Sequence, residues 1–157
     1  MTMVYFFQIL SGLLTPVIAM IALYIAYQQF NVNRNKLKLE LYEKRYKMYL
    51  FIKDFIEHFS INFIFSSSEF RKFNTQANEC KYLFDKDINA LIKNIQKNVL
   101  KILALNEQLS RSDLYPVDSK ERQQFDSEKL ELMKWFNDLY FDIEEYFMEY
   151  LEFKKIK

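Results

Sequence analysis

This 157-residue chain holds one Gly, two Pro, one Cys and one His, and it has no charged side chain before Arg34. Loops that cradle phosphates need glycines, and the single Gly12 sits in an apolar run, so Walker and dinucleotide-binding fingerprints are excluded. Nucleophile elbows fail for the same reason. Cys80 has no partner for an internal disulfide. One His and one Cys, far apart, fall short of the four ligands of a structural zinc site, and Asp54 with His58 makes only an i,i+4 pair. A di-iron bundle needs Glu-x-x-His on facing helices. The sequence has none, so Glu144, Glu145 and Glu149 read as a solvated acidic face. No enzyme, metal or cofactor is expected.

The missing charge at the N-terminus is itself a signal. Met3 to Tyr27 is nearly continuous apolar sequence, and about 20 such residues cross a bilayer of roughly 30 Å. A cleaved signal peptide needs a basic start, a shorter apolar core and a small-residue exit, none of which occurs, so a transmembrane helix is expected. After it, Arg34, Lys36, Lys38, Lys44, Arg45 and Lys47 outnumber Glu40 and Glu43, which places the N-terminus outside and the C-terminal part in the cytoplasm. The expected organisation is an anchor over residues 1–35 and a cytosolic domain over residues 36–157.

Within the run, Gly12, Thr15, Ala19, Ala22 and Ala26 recur at intervals of three, four, three and four. Apolar helices associate in lipid where small residues allow close backbone approach, so this seam is the expected oligomerisation face of a homo-oligomer. Gln8, Ser11 and Thr15 offer a narrow polar path across such an assembly, or are polar residues tolerated near an interface. Pro16 either kinks the helix against the carbonyl of Gly12 or follows a Thr15 cap at a helix start.

Beyond the run the breakers are nearly absent, and apolar positions recur every three or four residues, so the fold class is all-α. Leu39, Tyr42, Tyr46, Tyr49, Ile52, Ile56, Phe59 and Phe63 mark one long helix that leaves the span without a break, and Leu41, Met48, Phe51 and Phe55 cover a second side of it. Ser66 with Glu69 forms a capping box opening a helix toward Phe84. Asp85 or Asp87 caps the next, striped by Ile88, Leu91, Ile92, Ile95, Val99, Ile102, Leu103 and Leu109. Residues 110–119 read as a loop. Asp118 with Glu121 caps a last helix toward Lys154, with Phe125, Leu130, Met133, Phe136, Leu139, Tyr140, Ile143, Phe147, Tyr150 and Leu151 on its apolar face. The expected domain is a bundle of about four helices.

Net charge is +1, yet residues 34–106 hold 14 Lys or Arg against 8 Asp or Glu, and residues 107–157 hold 8 against 13. Complementary halves favour helix packing within or between chains. Long nucleic acid is not expected as a partner. Arg71 and Lys72 between Phe70 and Phe73, and Lys93, Lys97 and Lys101 at steps of four, are candidate contacts for an anionic ligand, or the wet side of amphipathic helices. Arg34 and Lys36 are candidates for anionic lipid headgroups.

The segment from Thr15 to Tyr49, with "YIAYQQ" ending the apolar run and "NRNKLKLELYEKRY" following it, resembles a group of small bacterial single-span membrane proteins. That resemblance implies an anchored helical protein of bacterial or phage origin and carries no catalytic residues; the expected location is the bacterial inner membrane. In architecture the chain also looks like the membrane-anchored accessory effectors of type III CRISPR and related antiphage systems, whose cytosolic domains recognise a cyclic nucleotide and oligomerise. No ligand-binding motif is shared, so the likeness is one of architecture. The expected function is an oligomeric, membrane-anchored, non-enzymatic sensor or effector in antiphage defence, whose helical domain binds a cyclic nucleotide or a protein. The alternative is a passive anchor or scaffold that recruits a cytosolic partner.

Overall fold

The computed structural model describes residues 2–62, 66–111 and 113–152, with side chains from Gly12 onward apart from Leu13 and Asn62. The described residues are all-helical: α1 (Thr2–Asn62), α2 (Ser67–Ala77), the single turn α3 (Cys80–Leu83), α4 (Lys86–Ser110) and α5 (Lys120–Leu151). Two compact units divide the chain, Met1–Glu40 and Leu41–Lys157.

In the first unit, Pro16 lies inside α1 rather than at a helix start, so the reading in which Thr15 caps a new helix is replaced by an uninterrupted one. Every described side chain from Gly12 to Phe30 is exposed. Among the described residues no helix is long and apolar enough to cross a membrane. The described apolar run, Leu14 to Tyr27 before Gln28, spans only about 21 Å at 1.5 Å per residue. The expected span starts at Met3, and the side chains of its residues 3–11 and 13 lie outside the described ones, as do those of Gln8 and Ser11.

The second unit is a helical bundle with an apolar core: among the described residues, none of the buried ones is polar or charged. From α1 come Met48, Ile52, Ile56 and Phe59, from α2 Phe70 and Phe73, from α4 the run Ile88 to Leu105, and from α5 Phe136, Leu139, Ile143 and Phe147. Steps of three and four put each set on one side of its helix. Aromatic contacts join the helices. Phe55 stacks on Phe73 at 3.7 Å, Phe59 meets Phe136 at 4.3 Å, and Tyr49 meets Phe147 at 5.4 Å between ring centroids. Leu130, expected on the apolar face, is instead 53% exposed.

The helix ends follow local chemistry. Ser66 accepts from the Glu69 amide at 3.2 Å while its own amide donates to Glu69 Oε2 at 3.0 Å, the expected capping box. α2 stops earlier than expected. Asn78 ends it, tight i to i+3 bonds follow from the amides of Glu79 and Tyr82, and α3 turns Cys80 into the core. Asp85 precedes α4 without a side-chain cap bond; its Oδ2 accepts from the Tyr150 hydroxyl at 3.4 Å. At α5 the cap is Ser119, which accepts from the Arg122 amide at 3.2 Å, one residue beyond the expected Asp118. The loop before it is closed by Arg122 Nη1 donating to the Tyr115 carbonyl at 3.1 Å.

Candidate functional site

Gly12, Thr15, Ala19, Ala22 and Ala26 are all exposed, and a Cβ added at Gly12 meets nothing within 4 Å. Around them Leu14, Ile18, Met20, Ile21, Leu23 and Ile25 are each about half exposed or more.

The basic candidates do not converge on one place. Arg34 and Lys36 are exposed in the first unit. Lys93 and Lys97 are exposed on α4, but Lys101 Nζ lies 3.5 Å from Glu128 Oε1 of α5, so that end of the stripe ties two helices of the bundle together. Arg71 Nε donates to the Ser67 carbonyl within α2 at 3.4 Å. Lys72 lines a shallow depression with Asp54, His58 and Glu69. There His58 Nε2 stands 3.9 Å from Glu69 Oε1, an exposed contact between α1 and α2. Glu69 is held below its ordinary value chiefly by the Ser66 amide, then by the Ser66 hydroxyl. Among the described residues no three His, Cys, Asp or Glu side chains are grouped to hold a metal.

One concavity of the bundle was not singled out by sequence. It is an open groove of about 520 Å³ between α1 and the α2–α3 segment, lined by Lys44, Lys47, Met48, Phe51, Gln76, Glu79, Tyr82 and Leu83. Lys44, Lys47, Met48 and Phe51 share one side of α1 by their spacing, which was the available signal. Their partners on α3 were not visible, because α3 exists only where α2 breaks. Met48, Phe51 and Leu83 give an apolar floor, the lysines a cationic rim, and Tyr82 stands 79% exposed at the edge. No family model matches the chain, and neither does any curated protein or solved structure.

Arg45 is a second residue that sequence undervalued. Counted as one charge in a basic cluster, it donates from Nε to the Leu83 carbonyl at 2.9 Å and lies 5.4 Å from the Tyr150 ring centroid. It therefore fastens α1 to the segment that forms the groove wall and to α5. Cys80, next to that wall, is fully buried, and burial, then the Glu79 charge, pushes its thiol up to about 12. The groove lining includes no Ser, Thr, Cys or His.

Proposed function

We propose that the chain is a membrane-anchored, self-associating, non-enzymatic helical protein of the bacterial inner membrane, with a cytoplasmic bundle that senses a signal or partner and acts on the membrane in antiphage defence. The observation that carries this reading is the uncharged stretch of α1 before Arg34, whose described side chains are exposed while Leu14, Val17, Ile18, Met20, Ile21, Leu23 and Ile25 stand among them. An apolar surface of that extent needs a cover, and lipid together with a second copy supplies one. The reading takes the apolar run as the whole stretch from Met3 to Tyr27, long enough by sequence to span a bilayer. Ala22 and Ala26 then form the closest point of a homo-oligomeric seam.

α1 continues from this stretch to Asn62, where its later turns supply Ile52, Ile56 and Phe59 to the bundle core. A change in bundle packing therefore acts on the same helix that carries the seam. The signal is a cyclic nucleotide or a protein. The open groove with its apolar floor favours a protein segment, which keeps the scaffold reading in play.

Membrane-fraction partition after alkaline extraction tests the anchor; release into the supernatant would overturn it. Light scattering of full-length protein in detergent tests the seam. A defined oligomer that Ala22→Leu with Ala26→Leu dissociates supports it, and a monomer in both forms removes it. Exchanging the stretch for an unrelated span without loss of function would favour the passive scaffold.

A further inference from the structure

The groove on α1 and α3 meets its chemical complement on the far end of the same sequence. α5 presents Phe141, 71% exposed, and Met148, 53% exposed, seven residues apart and thus on one side of the helix. Asp138 and Glu145 are exposed on that same side by their spacing from Phe141, at i−3 and i+4. The α1 side of the groove offers the inverse, with Lys44 and Lys47 beside the apolar Met48, Phe51 and Leu83, while Glu79 lines it from the α2–α3 segment, away from the lysines' helix. None of Lys44, Lys47, Asp138 and Glu145 enters an ion pair among the described residues.

We propose that the occupant of this groove is α5 of a second copy of the chain, with Phe141 and Met148 over the apolar floor and Asp138 and Glu145 opposite Lys44 and Lys47. Charge complementarity selects this occupant: an anionic lipid satisfies the lysines but leaves Phe141 and Met148 uncovered, whereas a second copy covers both surfaces at once. The contact joins two different patches, so it is heterologous, and repeated it closes a ring or extends a chain. A knob and groove of this size is small beside a standard interface. It therefore rests on the proposed seam, which holds copies close enough that a weak second contact forms as an intramolecular one.

The experiment uses two differently tagged full-length chains co-expressed and purified in detergent, one with Tyr82→Cys and the other with Glu145→Cys. Cys80 is buried and serves as the silent background. Mild oxidation is expected to give the mixed disulfide between the two tags and little like-with-like product. Lys44→Glu with Lys47→Glu in the Tyr82→Cys chain is expected to lower the mixed disulfide severalfold at unchanged oligomer mass. Adding Asp138→Lys to the Glu145→Cys chain is expected to restore it, a rescue that misfolding does not produce. An oligomer intact by light scattering that gives no mixed disulfide, or only like-with-like disulfides, overturns this interface and leaves the seam standing. Protection of Tyr82→Cys from a thiol reagent by anionic phospholipid, with no mixed disulfide, overturns it in favour of a lipid site. A monomer overturns the oligomeric reading beneath it as well.

Discussion

Arg45 Nε donates to the carbonyl of Leu83 at 2.9 Å, across 38 positions of sequence, and the same guanidinium lies 5.4 Å from the Tyr150 ring centroid. Leu83 ends α3, and its neighbour Phe84 meets Phe147 edge-on at 5.1 Å, so this one side chain links α1 to the place where α3 and α5 converge. Arg45→Ala is expected to lower stability by about 1–2 kcal/mol, the range for a charge-assisted bond discounted for partial exposure. Arg45→Lys is expected to recover less than half, because a point-like ammonium cannot donate to the carbonyl and cover the ring at once. Urea denaturation of both variants checks this. Equal stability of Arg45→Ala and wild type would show that the contact is incidental.

Phe59 and Phe136 are both fully buried and lie 4.3 Å apart at 47° between ring planes. Either one replaced by Ala is expected to cost about 3–5 kcal/mol, since transfer and cavity terms add. The double variant is expected to cost less than the sum by about 0.5–1.5 kcal/mol, the coupling of a touching aromatic pair. A double-mutant cycle in urea measures that difference, and strict additivity would mean the rings do not stabilise each other.

Much of the bundle was legible because its signals are local. Steps of three and four marked the buried sides of α4, of α1 over Tyr49 to Phe59 and of α5 over Phe136 to Phe147, whereas Leu39, Tyr46 and Leu130, expected on those sides, are exposed; Ser66 with Glu69 marked the start of α2 within one turn. The misses needed information that a stretch of sequence lacks. α2 ends at Asn78 and the turn after it carries Cys80 into the core, a burial that depends on helices distant in sequence. Asp118 and Ser119 are both good caps, and the placement of Arg122 beneath Tyr115 selects Ser119. The groove was half legible: the α1 side follows from spacing, but Leu83 and Tyr82 reach it only through the separate turn of α3.

Acid is expected to loosen the start of α2. Glu69 sits below its ordinary value of 4.5, first because the Ser66 amide and then because the Ser66 hydroxyl bonds the charged carboxylate. A depressed carboxylate contributes stability above its ordinary value, and that contribution is lost as pH falls through 4.5 and then through the lower folded value. Glu69→Gln is therefore expected to be less stable than wild type at pH 7 and equal to it at the acid end of that window. Denaturation midpoints of the two proteins across this range check the convergence. A constant gap between them would rule the carboxylate out as its source.

Cys80 is expected to behave as part of the core rather than as a reactive thiol. It has no solvent exposure, and burial, helped by the Glu79 charge, raises it to about 12, so at pH 8 the thiolate that attacks thiol reagents is nearly absent. Labelling of native protein is expected to proceed only through opening, with a rate that rises with urea in step with unfolding. Cys80→Ser places a hydroxyl among apolar side chains and is expected to cost about 1–3 kcal/mol, whereas Cys80→Val tests volume alone. Rapid labelling in buffer without denaturant would mean that α3 detaches from the core on its own. The groove wall carried by Tyr82 and Leu83 would then detach with it, because Cys80 is the fully buried residue of that turn.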